Sequence, residues 1–228
     1  MKFRSNYNGN VLSMTKESIL SEVRAEMPKV LYVSGKTCTG KTTFSEEIER
    51  TLHYTHIMLD DIVQRSVVEP FHIQNIPDAY VTVYRDGEPK EQVDAFVSAA
   101  HEAILSARAL SPVVVEGAIA RPRVLREVFS GELADFLFVY FHPVHFDVYL
   151  DRIKSRFVAG AHDGTSALPK HFWSFVRDED MQTYRRTREL NEGLMESLRA
   201  FAQASMEESQ TRLDGFLSTF PDIRVVEV

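Results

Sequence analysis

The chain has 228 residues, 44% hydrophobic and 26% charged, with 10 Gly and 9 Pro; such a composition buries its own core and excludes disordered, fibrous and low-complexity classes. Lys and Arg number 26 against 33 Asp and Glu, a formal charge of −7, so the surface as a whole does not suit a polyanion, and nucleic acid is not an expected partner. A single cysteine, Cys38, excludes an intramolecular disulfide framework and any CxxC metal site and points to a reducing, cytoplasmic setting, and no stretch reaches the roughly 18 apolar residues of a membrane span.

Residues 1 to about 15 are polar and Asn-rich and read as a loose lead-in, followed by a short helix from Thr15 to Glu26 that Pro28 ends. Residues 1–28 therefore form an extension to one domain, 29–228. The apolar run Val30–Val33 predicts a strand, Ser34-Gly35 a loop, and Thr42 to Leu52 a helix. Further strands are predicted at His56–Leu59, stopping at Asp60-Asp61; at Val113–Val115, stopping at Glu116-Gly117; at Phe136–Phe141; and at Ile223–Val226. Helices are expected over Gln92–Leu110, Val144–Phe157 and Met181–Leu217. Apolar strands alternating with helices predict an α/β fold: a mostly parallel five-stranded sheet flanked by helices on both faces. The small, polar segment Ala159–Ala167 breaks the rhythm and predicts a flexible loop within a small lid at about 157–180.

The segment Gly35-Lys36-Thr37-Cys38-Thr39-Gly40-Lys41-Thr42 matches G-x-x-x-x-G-K-[ST] completely and lies between a predicted strand and a predicted helix, where a Walker A loop must lie. The glycines let successive backbone N–H groups face a phosphate, Lys41 adds a point charge, and Thr42 offers its hydroxyl to Mg²⁺; Thr43 follows in the same turn. Cys38 occupies a tolerant loop position and reads as a filler, not a nucleophile. Of the next carboxylates, Asp60 is placed to orient a substrate hydroxyl as general base, with Asp61 the better candidate for a helix cap. Glu116 stands where an acidic residue holds Mg²⁺ directly or through water, and Gly117 beside it lets a substrate approach the backbone. Arg152 and Arg156, four apart, share a helix face beside the predicted lid and are expected to close on the transferring phosphate. Arg177, Arg185, Arg186 and Arg188 read as a solvated face. His53, His56, His101, His142 and His145 show no metal-ligand spacing and read as core or surface residues.

These landmarks resemble the P-loop nucleoside kinases of the uridine kinase type, and especially the nicotinamide riboside kinases, over about residues 30–190. The resemblance implies ATP or another nucleoside triphosphate as donor, with Mg²⁺, in a P-loop kinase fold. It implies that Asp60 binds and activates the acceptor hydroxyl, that Glu116 serves Mg²⁺ or the same hydroxyl, that Arg152 and Arg156 are lid arginines, and that Asp94 is similar in position to a ribose-binding aspartate. Two departures concern the acceptor. Ile62-Val63 stands where the family commonly carries aromatic residues, and in Ala118–Arg123 either Arg121 or Arg123 could contact an anionic substrate, as in nucleoside monophosphate kinases. The expected activity is phosphoryl transfer to a hydroxyl of a small, nucleoside-like substrate. The alternatives are a nucleoside monophosphate, a sugar acid, a nucleotide-sugar or a polynucleotide end as acceptor, or a nucleotide-dependent regulatory switch. Monomer and homodimer both remain open. Residues 152–188 carry eight Lys or Arg against four Asp or Glu, a local basic excess suited to one Mg-nucleotide on an acidic body.

Overall fold

A computed structural model describes residues 13–73, 76–131, 135–162, 170–220 and 222–228. In chain order its elements are β1 (Ser13–Met14), α1 (Lys16–Glu26), β2 (Val30–Gly35), α2 (Lys41–Leu52), β3 (Thr55–Met58), α3 (Leu59–Val63) and α4 (Ile76–Val81), then α5 (Lys90–Arg108), β4 (Val113–Glu116), α6 (Pro122–Val128) and β5 (Phe136–His142). After these come α7 (Phe146–His162), α8 (Asp178–Thr187), α9 (Glu192–Leu217) and β6 (Ile223–Glu227). Helices α3 and α4 each run on into a π-helical turn, Gln64–Val68 and Thr82–Asp86.

The strands form one sheet in the order β1-β6-β5-β2-β4-β3, with every pairing parallel. The glycine loop joins β2 to α2, giving the architecture of a P-loop NTPase. The connection leaving β2 runs to β3 on one side, whereas the connection leaving β4 runs to β5 on the other, so a crevice opens at the carboxyl ends of these two strands. The five predicted strands are all present; the sixth, β1, is a two-residue edge strand within the expected lead-in, whose residues 1–12 lie outside the described residues.

Alternation along the central strands divides the core. Val30 and Tyr32 pack with Val113, Val115, Phe138 and Tyr140 under α5, α6 and α9. Leu31 and Val33 pack with Val114, Val139 and Phe141 on the other face, with Ile19 and Val23 of α1 and Phe44 and Ile48 of α2. Helix α1 is therefore part of the core: Thr15 Oγ1 caps it by accepting from the Ser18 N–H at 3.2 Å, and Met27 ends it in a left-handed turn at φ 46°.

Two expectations change. The single helix predicted from Met181 to Leu217 is two helices, broken where Arg188 turns left-handed at φ 61° and restarted by Asn191, whose side chain accepts from the Leu194 N–H at 2.8 Å. The predicted loop Ala159–Ala167 begins as helix, because α7 continues to His162; residues 163–169 lie outside the described residues. The far flank of the expected lid is anchored, since Phe172 and Tyr184 are buried against Phe157 of α7 and Phe201 of α9.

Candidate active site

The glycine loop starts at Gly35, whose φ of 145° and close approach to β5 exclude a side chain: a Cβ there would meet the Phe141 carbonyl oxygen at 2.5 Å. The loop turns through Cys38 at φ 66° and enters α2 after Gly40, at φ 93°. Thr39 Oγ1 donates to the Lys36 carbonyl at 2.7 Å, and Lys41 Nζ donates to the same oxygen at 3.1 Å, which holds the amine across the loop. From outside, the buried Tyr149 hydroxyl of α7 donates to the Thr37 carbonyl at 3.0 Å. Tyr149→Phe should cost about 1 kcal/mol of stability in a urea titration, the usual worth of one such bond.

Beside the loop lies a cleft of about 640 Å³, lined by Cys38, Gly40, Lys41, Thr42, Thr43 and, from α7, Arg152 and Arg156. Both arginines are exposed, and Asp151 of the same helix accepts from Lys154 at 2.9 Å. Burial pushes the Cys38 thiol pKa up, against the charges of Arg156 and Lys41, so it is no activated nucleophile. The solvated face expected of Arg177, Arg185, Arg186 and Arg188 is exposed.

Thr42 and Glu116 meet: the threonine hydroxyl donates to Glu116 Oε1 at 2.6 Å. Glu116 Oε2, buried and without a hydrogen-bond partner, faces His56 Nε2 at 3.3 Å. Burial would raise the Glu116 pKa, but His56, Thr42 and the charge of Lys41 outweigh it and hold it below the usual carboxylate range. His56, read from sequence as a structural residue, is thus part of the site. It stands on β3, paired in register with Val114, two residues before Glu116 on β4. An orphaned carboxylate oxygen beside a threonine hydroxyl, next to a phosphate loop, fits Mg²⁺, which takes one or two protein oxygens and completes its shell with phosphate and water. Among the described residues there is no cluster of three His, Cys, Asp or Glu that would make a dedicated metal cage.

Asp60 and Asp61 do not end a strand. β3 stops at Met58, and Leu59, fully buried, begins α3, so both carboxylates occupy the first helical turn, where the helix dipole favours negative charge. Leu59 also accounts for Gly117: a Cβ there would meet Leu59 Cδ1 at 2.5 Å, so the room expected for a substrate is filled by internal packing. Asp60 is exposed by area, yet closely surrounded, and this desolvation, the largest influence on it, raises its pKa against the opposing pull of Tyr84 and Lys41. The Tyr84 hydroxyl donates to Asp60 Oδ1 at 2.8 Å, and Tyr84 stacks on Tyr80 with centroids 5.9 Å apart and planes 6° apart. Lys41, its pKa lowered by burial, is raised in turn by the charges of Glu116 and Asp60, which places all three at one locus.

Other candidates stand apart from this locus. Arg123 is exposed on α6 and bonds Glu127 at 2.9 Å, with Asp94, exposed on α5, contributing to its electrostatic surroundings. Arg121 donates to the Asp86 carbonyl. The Lys36 side chain turns away from the loop into a partly buried pair with Glu208 of α9, Nζ to Oε2 at 2.5 Å. Arg85 and Arg212 share the other oxygen of that carboxylate, the latter at 2.6 Å. The tyrosines were open to a sequence reading, as an i, i+4 pair in Tyr80-Val81-Thr82-Val83-Tyr84; of the Glu208 cluster, only the i, i+4 pair Glu208–Arg212 is local, and Lys36 joins it across 172 residues.

No family model and no curated protein sequence matches the chain. Among solved structures it is similar to a gluconokinase from Sinorhizobium meliloti 1021, with TM-score 0.43 and 15% identity over 88% of this chain and 83% of that one. A shikimate kinase from Bacteroides thetaiotaomicron gives 0.41 and 16% over 83% and 98%. A deoxyadenosine kinase from M. mycoides with bound dATP gives 0.38 and 15% over 87% and 90%. Identities this low transfer neither substrate nor mechanism.

Proposed function

We propose that the protein is a nucleoside-triphosphate-dependent kinase that phosphorylates a hydroxyl of a small, ring-bearing molecule of nucleoside-like shape. The observation that carries this reading is Asp60. A carboxylate with a raised pKa, fixed by Tyr84 and electrostatically coupled to the P-loop lysine, suits the base of a phosphoryl acceptor site.

The loop amides and Lys41 would hold the donor phosphates, and Arg152 and Arg156 would approach them from α7. Thr42 and Glu116 would hold Mg²⁺, which when bound neutralises phosphate charge. The donor nucleoside has room on the other side of the loop. A second cavity of about 710 Å³ there shares Cys38, Gly40, Thr43 and Arg152 with the first and is walled by the ends of β5 and β6 and by Met14–Glu17. The acceptor belongs on the β4–β3 side, its ring against the Tyr80–Tyr84 stack. Asp60 accepts the hydroxyl proton as that oxygen bonds to the γ-phosphorus. The bond from phosphorus to the β–γ bridging oxygen breaks, and the nucleoside diphosphate leaves.

A panel of nucleosides, nucleotides, sugars and sugar acids offered with Mg-ATP should contain members that raise ADP release well above the acceptor-free rate. ADP release that no acceptor changes would overturn the assignment.

A further inference from the structure

Three cations, Lys36, Arg85 and Arg212, converge on one carboxylate, Glu208. Lys36 is only 7% exposed and Arg212 13%, whereas Arg85 keeps 33% of its side chain accessible. One carboxylate neutralises one cation, so the cluster holds two positive charges in excess in partly desolvated surroundings. Like charges packed this closely repel one another substantially at the effective dielectric of a protein. The strain is visible at Lys36, whose pKa is lowered to about 8, first by burial and then by the charge of Arg212.

The cluster lies on segments that also carry residues of the proposed site. Lys36 is in the loop, and its carbonyl receives Lys41 Nζ. Arg212 Nη1 reaches the Ala118 carbonyl at 3.4 Å, two residues past Glu116. Arg85 directly follows Tyr84, the residue that holds Asp60. The three cations thus touch the segments that carry Lys41, Glu116 and Tyr84, and the most accessible of them stands on the helix that forms the acceptor wall.

Resting on the kinase reading, we infer that the acceptor carries an oxyanion, a carboxylate or a phosphate, which Arg85 binds with support from Arg212. A planar guanidinium suits both groups through paired N–H donors, and a bound oxyanion would offset the repulsion among the cations. Of the two cations the sequence offers for this, Arg121 donates to the Asp86 carbonyl and Arg123 pairs with Glu127.

The test uses the full chain, Mg-ATP and matched pairs of acceptors: nucleosides against their 5′-monophosphates, and neutral sugars against the corresponding sugar acids. Phosphorylated product is read by mass spectrometry. The anionic member of a pair should be preferred at least 10-fold in kcat/KM, and whether the acids or the phosphates react identifies the oxyanion. Arg85→Gln should raise the acceptor KM by about 10- to 100-fold, leave the KM for Mg-ATP unchanged and, because it relieves repulsion, melt no lower than wild type. Equal turnover of neutral and anionic members, or an unchanged acceptor KM in Arg85→Gln, would overturn the inference while leaving the kinase reading intact. ATP hydrolysis without phosphorylation of any member would overturn the kinase reading, and the inference with it.

Discussion

Asp60→Asn should lower kcat by about 10³-fold, the scale of a lost general base, while leaving the KM for Mg-ATP near the wild-type value. The amide is isosteric and still accepts the Tyr84 hydroxyl through its oxygen, so the acceptor site keeps its shape and loses only its proton acceptor. The pH dependence follows from the same residue. Its pKa is raised from 3.8, chiefly by burial, and the active form is the carboxylate. Wild-type kcat should therefore fall as pH drops through that raised pKa, and the variant should lack this acid limb. A variant with undiminished turnover would remove Asp60 from the chemistry.

Glu208→Gln should destabilise the protein by about 3 kcal/mol in urea, at the lower end of the cost of breaking a buried ion pair because Glu208 remains partly accessible. The substitution leaves Lys36, Arg85 and Arg212 without a counter-charge. Burial alone would raise the Glu208 pKa, but Lys36, Arg212 and Arg85 hold it far below the usual carboxylate range. In the folded state the group therefore resists protonation, and its contribution is complete above about pH 4.5, the value it is lowered from. As pH falls below that value the unfolded chain takes up the proton first, and the contribution declines progressively toward the folded pKa. Wild type should lose stability in that acid window more steeply than Glu208→Gln. Lys36 acts in the same sense, in an alkaline window. With its folded pKa lowered from 10.5 to about 8, the unfolded chain binds the extra proton between those values, so this contribution to stability rises with pH across that window. Parallel acid profiles for the two proteins would contradict this account of the cluster.

What the sequence made legible depended on how local the signal was. The five principal strands are short runs rich in β-branched and aromatic residues, and the glycine loop is a contiguous motif that lies between β2 and α2 as its order implies. The edge strand β1 has two residues and exists only through its pairing with β6, some 200 residues away, so no pattern could announce it. The break between α8 and α9 has neither Gly nor Pro; Arg188 makes it, and the one readable sign was Asn191 as a helix cap. At the site, Glu116 meets Thr42 of the loop, and Asp60, expected at a strand end, stands in a helical turn. In the proposed acceptor site, the aromatic wall missing from Ile62-Val63 would be Tyr80 and Tyr84, which stack on each other in another helix. Lys36 was assigned to the nucleotide with the rest of its motif; its carbonyl does organise the loop, but its side chain belongs to Glu208, a partner that only the fold brings near.

The most direct measurement follows the fate of the γ-phosphate. With γ-³²P-labelled ATP, Mg²⁺ and the acceptor that most stimulates ADP release, the label should appear in a phosphate monoester of that acceptor in wild type and be nearly absent from it in Asp60→Asn. Label recovered only as inorganic phosphate, with or without acceptor, would contradict the assignment of a phosphoryl acceptor site to Asp60.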